Sequence, residues 1–307
     1  MRVLVTGASG WIGSAVVPEL IGSGHQVIGL ARSDASADAL TAAGAEVQLG
    51  SLDDLDGLRS AAASADGVIH LAFKHDLAFS GDFDGAVAAD RRAIEAFGDA
   101  LAGTDKPFVI ASGLLGVAPG RVATEDDGRD TQAAGSGLEG RHANAQLALS
   151  LADRGVRSSV LRLPPTVHGE GNAGFVSSLI DIAVDKGVSA YIGGGTNRWP
   201  AVHRLDSASL FRLGLEKAPA GSVLHAVGDE GVPIRDIAAA IGEYLGLAVV
   251  DIAPDDAGTH FGWLAGALAL DSPASAVQTQ KLLDWRPTQP GLVEDIAQGH
   301  PFTGAPA

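Results

Sequence analysis

Short apolar runs alternate with stretches of helical spacing through the first half of the chain. The runs are VLVT at 3–6, QVIGLA at 26–31, GVIHLA at 67–72, PFVIAS at 107–112 and SSVLRL at 158–163, and between them lie segments such as IGSAVVPELIGSG with one apolar helical face. Runs this continuous belong to strands covered on both faces, so strand and helix in alternation predict an α/β fold with a doubly wound parallel sheet. After about residue 164 the rhythm loosens into glycine- and proline-rich loops (GEGNAGF, GGGTNRWP), followed by two helical stretches, IRDIAAAIGEYLG and ASAVQTQKLLDW. The expected organisation is a sheet domain over 1–163 and a smaller cap over most of 164–307, some segments of which return to the sheet domain. The hinge region falls at 160–170.

Composition narrows the function. The 307 residues are 46% hydrophobic, enough for an ample core without staples. Cysteine is absent, which excludes disulfides, thiolate metal sites and cysteine nucleophiles. A formal charge of −16 repels phosphate backbones and anionic lipids, and no basic patch offsets it. The expected partner is a small-molecule substrate, with no nucleic acid and no membrane. No apolar stretch approaches the ~18 residues of a membrane span, and the first strand-like run starts at Arg2, so a cytoplasmic location is expected.

The sharpest local signal is VTGASGWIGSAVVPEL. Gly7, Gly10 and Gly13 follow a strand and open an amphipathic helix, which lets the backbone pass close to a pyrophosphate and presents free amides at the helix N-terminus. Gly7, Ser9, Gly10, Trp11, Ile12 and Gly13 are therefore candidate dinucleotide contacts, although the spacing is G-x-x-G-x-x-G and not the commoner G-x-G-x-x-G. At the end of the second strand an acid would bind the ribose hydroxyls of NAD, whereas an arginine would pair with the extra phosphate of NADP. The sequence there is GLARSD, with Arg32 and Ser33 in place. NADP(H) is favoured over NAD(H), against the plainer readings of Arg32 as a solvated loop charge or Asp34 as a ribose acceptor.

The glycine spacing, HLA at 70–72, PFVIAS, VLRLPPTVHGEG and the late LLDWRPT together resemble the extended short-chain dehydrogenase/reductase superfamily, which contains the NAD-dependent epimerases and dehydratases. The likeness covers nearly the whole chain. It implies a Rossmann-type NAD(P)-binding domain over 1–163 and a C-terminal substrate-binding cap. It also implies that Leu52 and Asp53 lie near the adenine, Leu71 and Ala72 by the middle of the cofactor, and Leu163, Pro164 and Val167 near the nicotinamide. Many such relatives dimerise through helices of the sheet domain, so the resemblance admits a homodimer.

The resemblance also implies a Tyr-x-x-x-Lys pair before the LRLPP strand, the tyrosine moving the proton and the lysine lowering its pKa. Here GSGLEGRHANAQ at 135–146 puts Gly137 and Arg141 at those positions, and neither Tyr191 nor Tyr244 has a lysine four residues on. The helper serine is displaced too: Gly113 takes its usual place, with Ser112 one residue earlier. Arg141 keeps donors for ribose hydroxyls but is a poor acid.

Replacement proton donors are His75 in LAFKHD, His168 in VHGEG, His203 in WPAVHRLD and Tyr191 in SAYIGGG; each has the plainer alternative of a structural side chain. Lys74 is a phosphate contact or a surface lysine, and His70 reads as core. His142 and Glu139 lack a ligand set, so no metal is expected. TEDDGRD at 124–130 reads as a solvated loop and GGG at 193–195 as a turn. Trp199 and Trp263 either line an apolar pocket or pack the cap. The expected activity is an NADPH-dependent reductase acting on a carbonyl or imine of a small, apolar molecule, an NAD(P)-dependent oxidoreductase without the usual tyrosine. The alternatives are a non-catalytic NADP-sensing protein and, behind it, a nucleotide-sugar epimerase or dehydratase.

Overall fold

A computed structural model describes residues 1–128, 137–171 and 174–302, without the side chain of Phe79. Arg129 and Asp130 of the acidic run, Gly135 and Ser136 of the GSGLEGRHANAQ stretch, and Asn172 and Ala173 of GEGNAGF lie outside the described residues.

Strands β1 (Arg2–Thr6), β2 (Gln26–Ala31), β3 (Glu46–Leu49), β4 (Gly67–His70), β5 (Pro107–Gly113) and β6 (Arg157–Leu163) build a parallel sheet. Three cap strands follow, β7 (Thr166–His168), β8 (Val188–Ile192) and β9 (Arg198–His203), before β10 (Ser222–His225) returns to complete the sheet. The order is β3-β2-β1-β4-β5-β6-β10.

The continuous apolar runs have a direct physical reason, since successive strand residues enter opposite cores. Val3, Val5, Val27, Ile69, Val109 and Leu161 face helices α1 (Gly13–Gly22) and α2 (Asp34–Ala42) and a later helix, Arg204–Lys217. Leu4, Ile28, Val68, Phe108, Ile110 and Val160 face α3 (Leu55–Ser64), α5 (Phe83–Leu101) and α6 (Gly137–Ser150). Between them α4 (His75–Phe79) is a short helix beyond β4, and Asp54 and Asp82 cap α3 and α5 by accepting the Gly57 and Gly85 amides. This is an α/β Rossmann-type fold.

The cap takes its sheets β11-β9-β7 and β12-β8 from the strands above together with β11 (Asp229–Pro233) and β12 (Ala248–Ile252). Its helices are α7 (Gly174–Lys186), α9 (Ile234–Leu245), α10 (Ala257–Phe261), α11 (Ala265–Leu268) and α13 (Leu292–Ala297), while α8 (Arg204–Lys217) and α12 (Val277–Leu283) pack beside the main sheet. A third core gathers Trp199, Ile237, Ile241, Phe261 and Leu264, and it includes Leu115 from the loop after β5. No helix among the described residues is long and apolar enough to cross a membrane.

Candidate functional site

The strand order reverses between β1 and β4, and in open α/β sheets the ligand crevice lies at the carboxyl ends of such a pair. Gly7 leaves β1 at φ +65°, and a Cβ there would stand 2.8 Å from the Ala72 amide nitrogen beyond β4. A Cβ on Gly13 would lie 2.1 Å from the Gly7 carbonyl oxygen. Only glycine allows this fold-back, which turns the chain into α1 and leaves the Trp11 and Ile12 amides without a backbone acceptor among the described residues. Those amides, with exposed Ser9 and Gly10, form a cradle fit for a diphosphate. The Trp11 indole N–H donates to the Val167 carbonyl at 3.0 Å, tying the glycine loop to the segment that follows Leu163 at the end of β6 and carries Pro164.

Along the β2 side, Arg32 and Ser33 are exposed at the strand end. Ser33 caps α2 by accepting the Ser36 amide. Arg32 pairs with Asp76 at 3.0 Å, and Lys74 pairs with Asp53 at 2.6 Å. Leu52 is buried below Asp53. The hydrogen bond from Arg32, followed by that from the Leu77 amide, holds the Asp76 pKa below the usual carboxylate range. Both cations thus stand beyond the carboxyl ends of β2 and β4 with carboxylates as their counter-ions.

On the other side of the crevice lies a buried polar network centred on Asp90. Asp90 of α5 is 3% exposed and accepts from three donors: His70 Nε2 at 3.1 Å, Arg141 Nη1 at 3.0 Å and Asn144 Nδ2 at 2.8 Å. Thr6 Oγ1 takes the Ala72 amide at 3.2 Å and meets His70 Nδ1 at 2.6 Å. With the Thr6 hydroxyl hydrogen directed to Nδ1, the His70 proton lies on Nε2, where Asp90 requires it. Burial alone would raise the Asp90 pKa, but Arg141, His70 and Asn144 outweigh it and hold it low. His70, expected as core, is buried and also a structural link in this chain.

Arg141 is therefore anchored. Its second nitrogen donates to the Ala111 carbonyl at 3.3 Å, and its Cζ stands 4.1 Å from the centroid of the Phe73 ring. The same ring meets the edge of His75, with centroids 5.2 Å apart. Part of the His75 ring reaches solvent, yet its crowded setting, the larger effect, and the charge of Arg141 lower its pKa. Ser112, next to Ala111, is buried with its Oγ unpartnered among the described residues. The structure thus gathers Arg141, His75 and the end of β5 around Phe73.

The other candidates sit elsewhere. His168, 3% exposed, bonds through Nδ1 to Asp295 at 2.7 Å, and the same carboxylate takes His300 Nδ1 at 2.7 Å. His203 packs edge-on against His168 at 5.4 Å and accepts the Leu205 amide at the start of α8; burial, then the His168 charge, lower its pKa. These contacts fasten the C-terminal segment to β7. Tyr191 packs in the cap core against the turn at Gly195. Trp199 is fully buried there, while Trp263 is 59% exposed and edges onto Phe175, which in turn packs on Trp199.

The sequence pattern of the NAD dependent epimerase/dehydratase family matches residues 3–226. The chain belongs to that family. An uncharacterised protein of Saccharomyces cerevisiae is 47% identical over 298 residues, covering 96% of this chain and 98% of the relative. A 4-hydroxy-2-methyl-3-oxo-4-farnesyl-3,4-dihydroquinoline-1-oxide ketoreductase of Stigmatella aurantiaca is 27% identical over 240 residues, 76% of this chain and 70% of the relative. Among solved structures, MoeE5 in complex with UDP-glucuronic acid and NAD superposes with a TM-score of 0.69 at 25% identity, over 97% of each chain.

Within this family framework a nicotinamide cofactor fits the crevice, because the tight glycine loop and the open amides are the features it needs. Asp90 is the site residue that sequence reasoning missed. Its signal was available: an acid in line with Ala86, Val87, Ala89, Ala93 and Ile94 on the buried face of α5 demands a partner.

Proposed function

We propose that the protein is an NADPH-dependent reductase of a carbonyl or imine group in a small, apolar molecule. The observation that carries this reading is the gathering of His75 and Arg141 around Phe73, beside the ends of β4 and β5, where this reading sets the reacting centre. A dinucleotide held in the crevice would supply the hydride. Arg141, with one nitrogen committed to Asp90 and another to Ala111, offers its remaining N–H groups to ribose hydroxyls while its charge is balanced by the buried carboxylate. His75, with its pKa lowered, gives up a proton readily to the oxygen or nitrogen that gains electrons, and solvent at its exposed edge restores that proton. Phe73 and Phe83, with centroids 5.7 Å apart, supply an apolar wall. The preference for NADPH rests on Arg32, whose exposed guanidinium would hold the 2′-phosphate in place of Asp76. The ketoreductase relative supports carbonyl reduction as the reaction class.

The test is NADPH consumption against a panel of aldehydes, ketones and cyclic imines, with NADH in parallel. Substrate-dependent loss of absorbance that His75→Gln abolishes is the expected result. A flat trace from protein that binds NADPH tightly would favour an NADP-sensing role instead.

A further inference from the structure

Arg32, Lys74 and Arg141 border the crevice, and each already faces a carboxylate. Arg204 does not. Among the described residues its guanidinium makes neither an ion pair nor a hydrogen bond, although acids outnumber bases 37 to 21 in this chain. It is half-buried and held in place. Its Cζ stands 4.4 Å from the centroid of the Trp11 ring, and its stem lies so close to Gly169 that a Cβ there would come within 3.1 Å of Arg204 Cγ. Trp11 is itself fixed by its bond to Val167 and by Gly171, where a Cβ would fall 2.9 Å from the indole.

The placement follows from the helices. Arg204 opens α8, and α8 packs beside α1, with Arg212 pairing with Glu19 at 2.6 Å and His25 with Glu216 at 2.9 Å. The far end of α8 lies at the strand starts, where Leu215 approaches Gly67, so its first residue lies at the carboxyl edge beside the first turn of α1. A guanidinium packed on an indole is dehydrated on one face, keeps its charge and has few rotamers left, which prepares its unused fork of donors for an oxyanion.

We propose that Arg204 is an oxyanion-binding residue of the crevice, closing over a phosphate group held at the amides of the Gly7–Gly13 loop. The proposal rests on the reading of that crevice as a dinucleotide site. The phosphate belongs either to the cofactor's diphosphate or to a second ligand such as a nucleoside diphosphate, and the chemistry of recognition is the same.

Calorimetric titration of wild type, Arg204→Ala and Arg204→Lys with NADPH, NADH and ADP-ribose, then of the NADP-saturated proteins with UDP, separates these sources; thermal melts confirm that the variants fold. The expected result is a loss of about tenfold or more in Arg204→Ala, partly recovered in Arg204→Lys. A loss shared by NADPH, NADH and ADP-ribose assigns the residue to the cofactor diphosphate. A loss confined to UDP assigns it to the second ligand. Wild-type affinities in Arg204→Ala for all four compounds overturn the proposal and leave the dinucleotide reading standing. Wild-type protein that binds none of the four refutes both.

Discussion

Replacing Asp90 tests the buried network directly. The carboxylate satisfies His70, Arg141 and Asn144 at once and is 3% exposed, while the Arg141 side chain retains 17% exposure. Asp90→Ala leaves a mostly buried guanidinium without its counter-ion, a loss of about 3–5 kcal/mol in buried pairs, and opens a cavity on α5. Asp90→Asn keeps the volume and one acceptor oxygen but removes the charge, so roughly half of that loss is expected. Urea unfolding at pH 7 measures both. The acid dependence has a definite sign: the folded-state pKa of Asp90 lies below its unfolded value, so its contribution is present above the unfolded value near ~3.9 and is lost as pH falls through the depressed folded one. The stability gap between wild type and Asp90→Asn should therefore narrow below about pH 4. A cost under about 1 kcal/mol for Asp90→Ala, or a gap that stays constant into acid, would refute the assignment of a buried, ionised hub.

Other expectations concern the cofactor and the proton. Arg32→Ala should weaken NADPH binding by roughly tenfold or more while NADH changes little, since only the former offers a phosphate to the guanidinium; equal losses would remove Arg32 from cofactor selection. Because the His75 pKa is lowered, its imidazolium becomes populated only below about 6.5, so turnover of an active substrate should rise as pH falls through that region. The rise should disappear in His75→Gln, and an unchanged profile in that variant would exclude His75 as donor. Gly13→Ala places a Cβ 2.1 Å from the Gly7 carbonyl oxygen and 2.6 Å from Ala8, so the loop must shift and NADPH binding should fall to background in a calorimetric titration. Retained affinity would show that the loop adapts.

The apolar runs by themselves determined the core strands, because in a parallel sheet each residue enters one of two cores and a strand covered on both faces has to read as continuously apolar. Edge positions were not legible. EVQL of β3 is mostly exposed, and SVLH of β10 is a four-residue strand that reaches the sheet only after the chain has passed through the cap. The glycine loop was legible because its chemistry is local: close approach of backbone to backbone tolerates only glycine, and the spacing records it. The absence of a Tyr-x-x-x-Lys pair was equally plain in the letters.

The partners of the buried and crevice-lining groups were decided by tertiary structure alone. Arg141 is 51 residues from Asp90 in sequence, Asp295 is 127 from His168, and Arg204 lies far along the chain from Trp11. Partners of that kind are chosen by which helix faces meet at the strand ends, and a one-dimensional pattern carries the demand of a buried charge for a partner without naming the residue that answers it. The same geometry separated the histidines, joining His75 to Arg141 through Phe73 and His168 to the C-terminal segment through Asp295, a division that no spacing along the sequence could express.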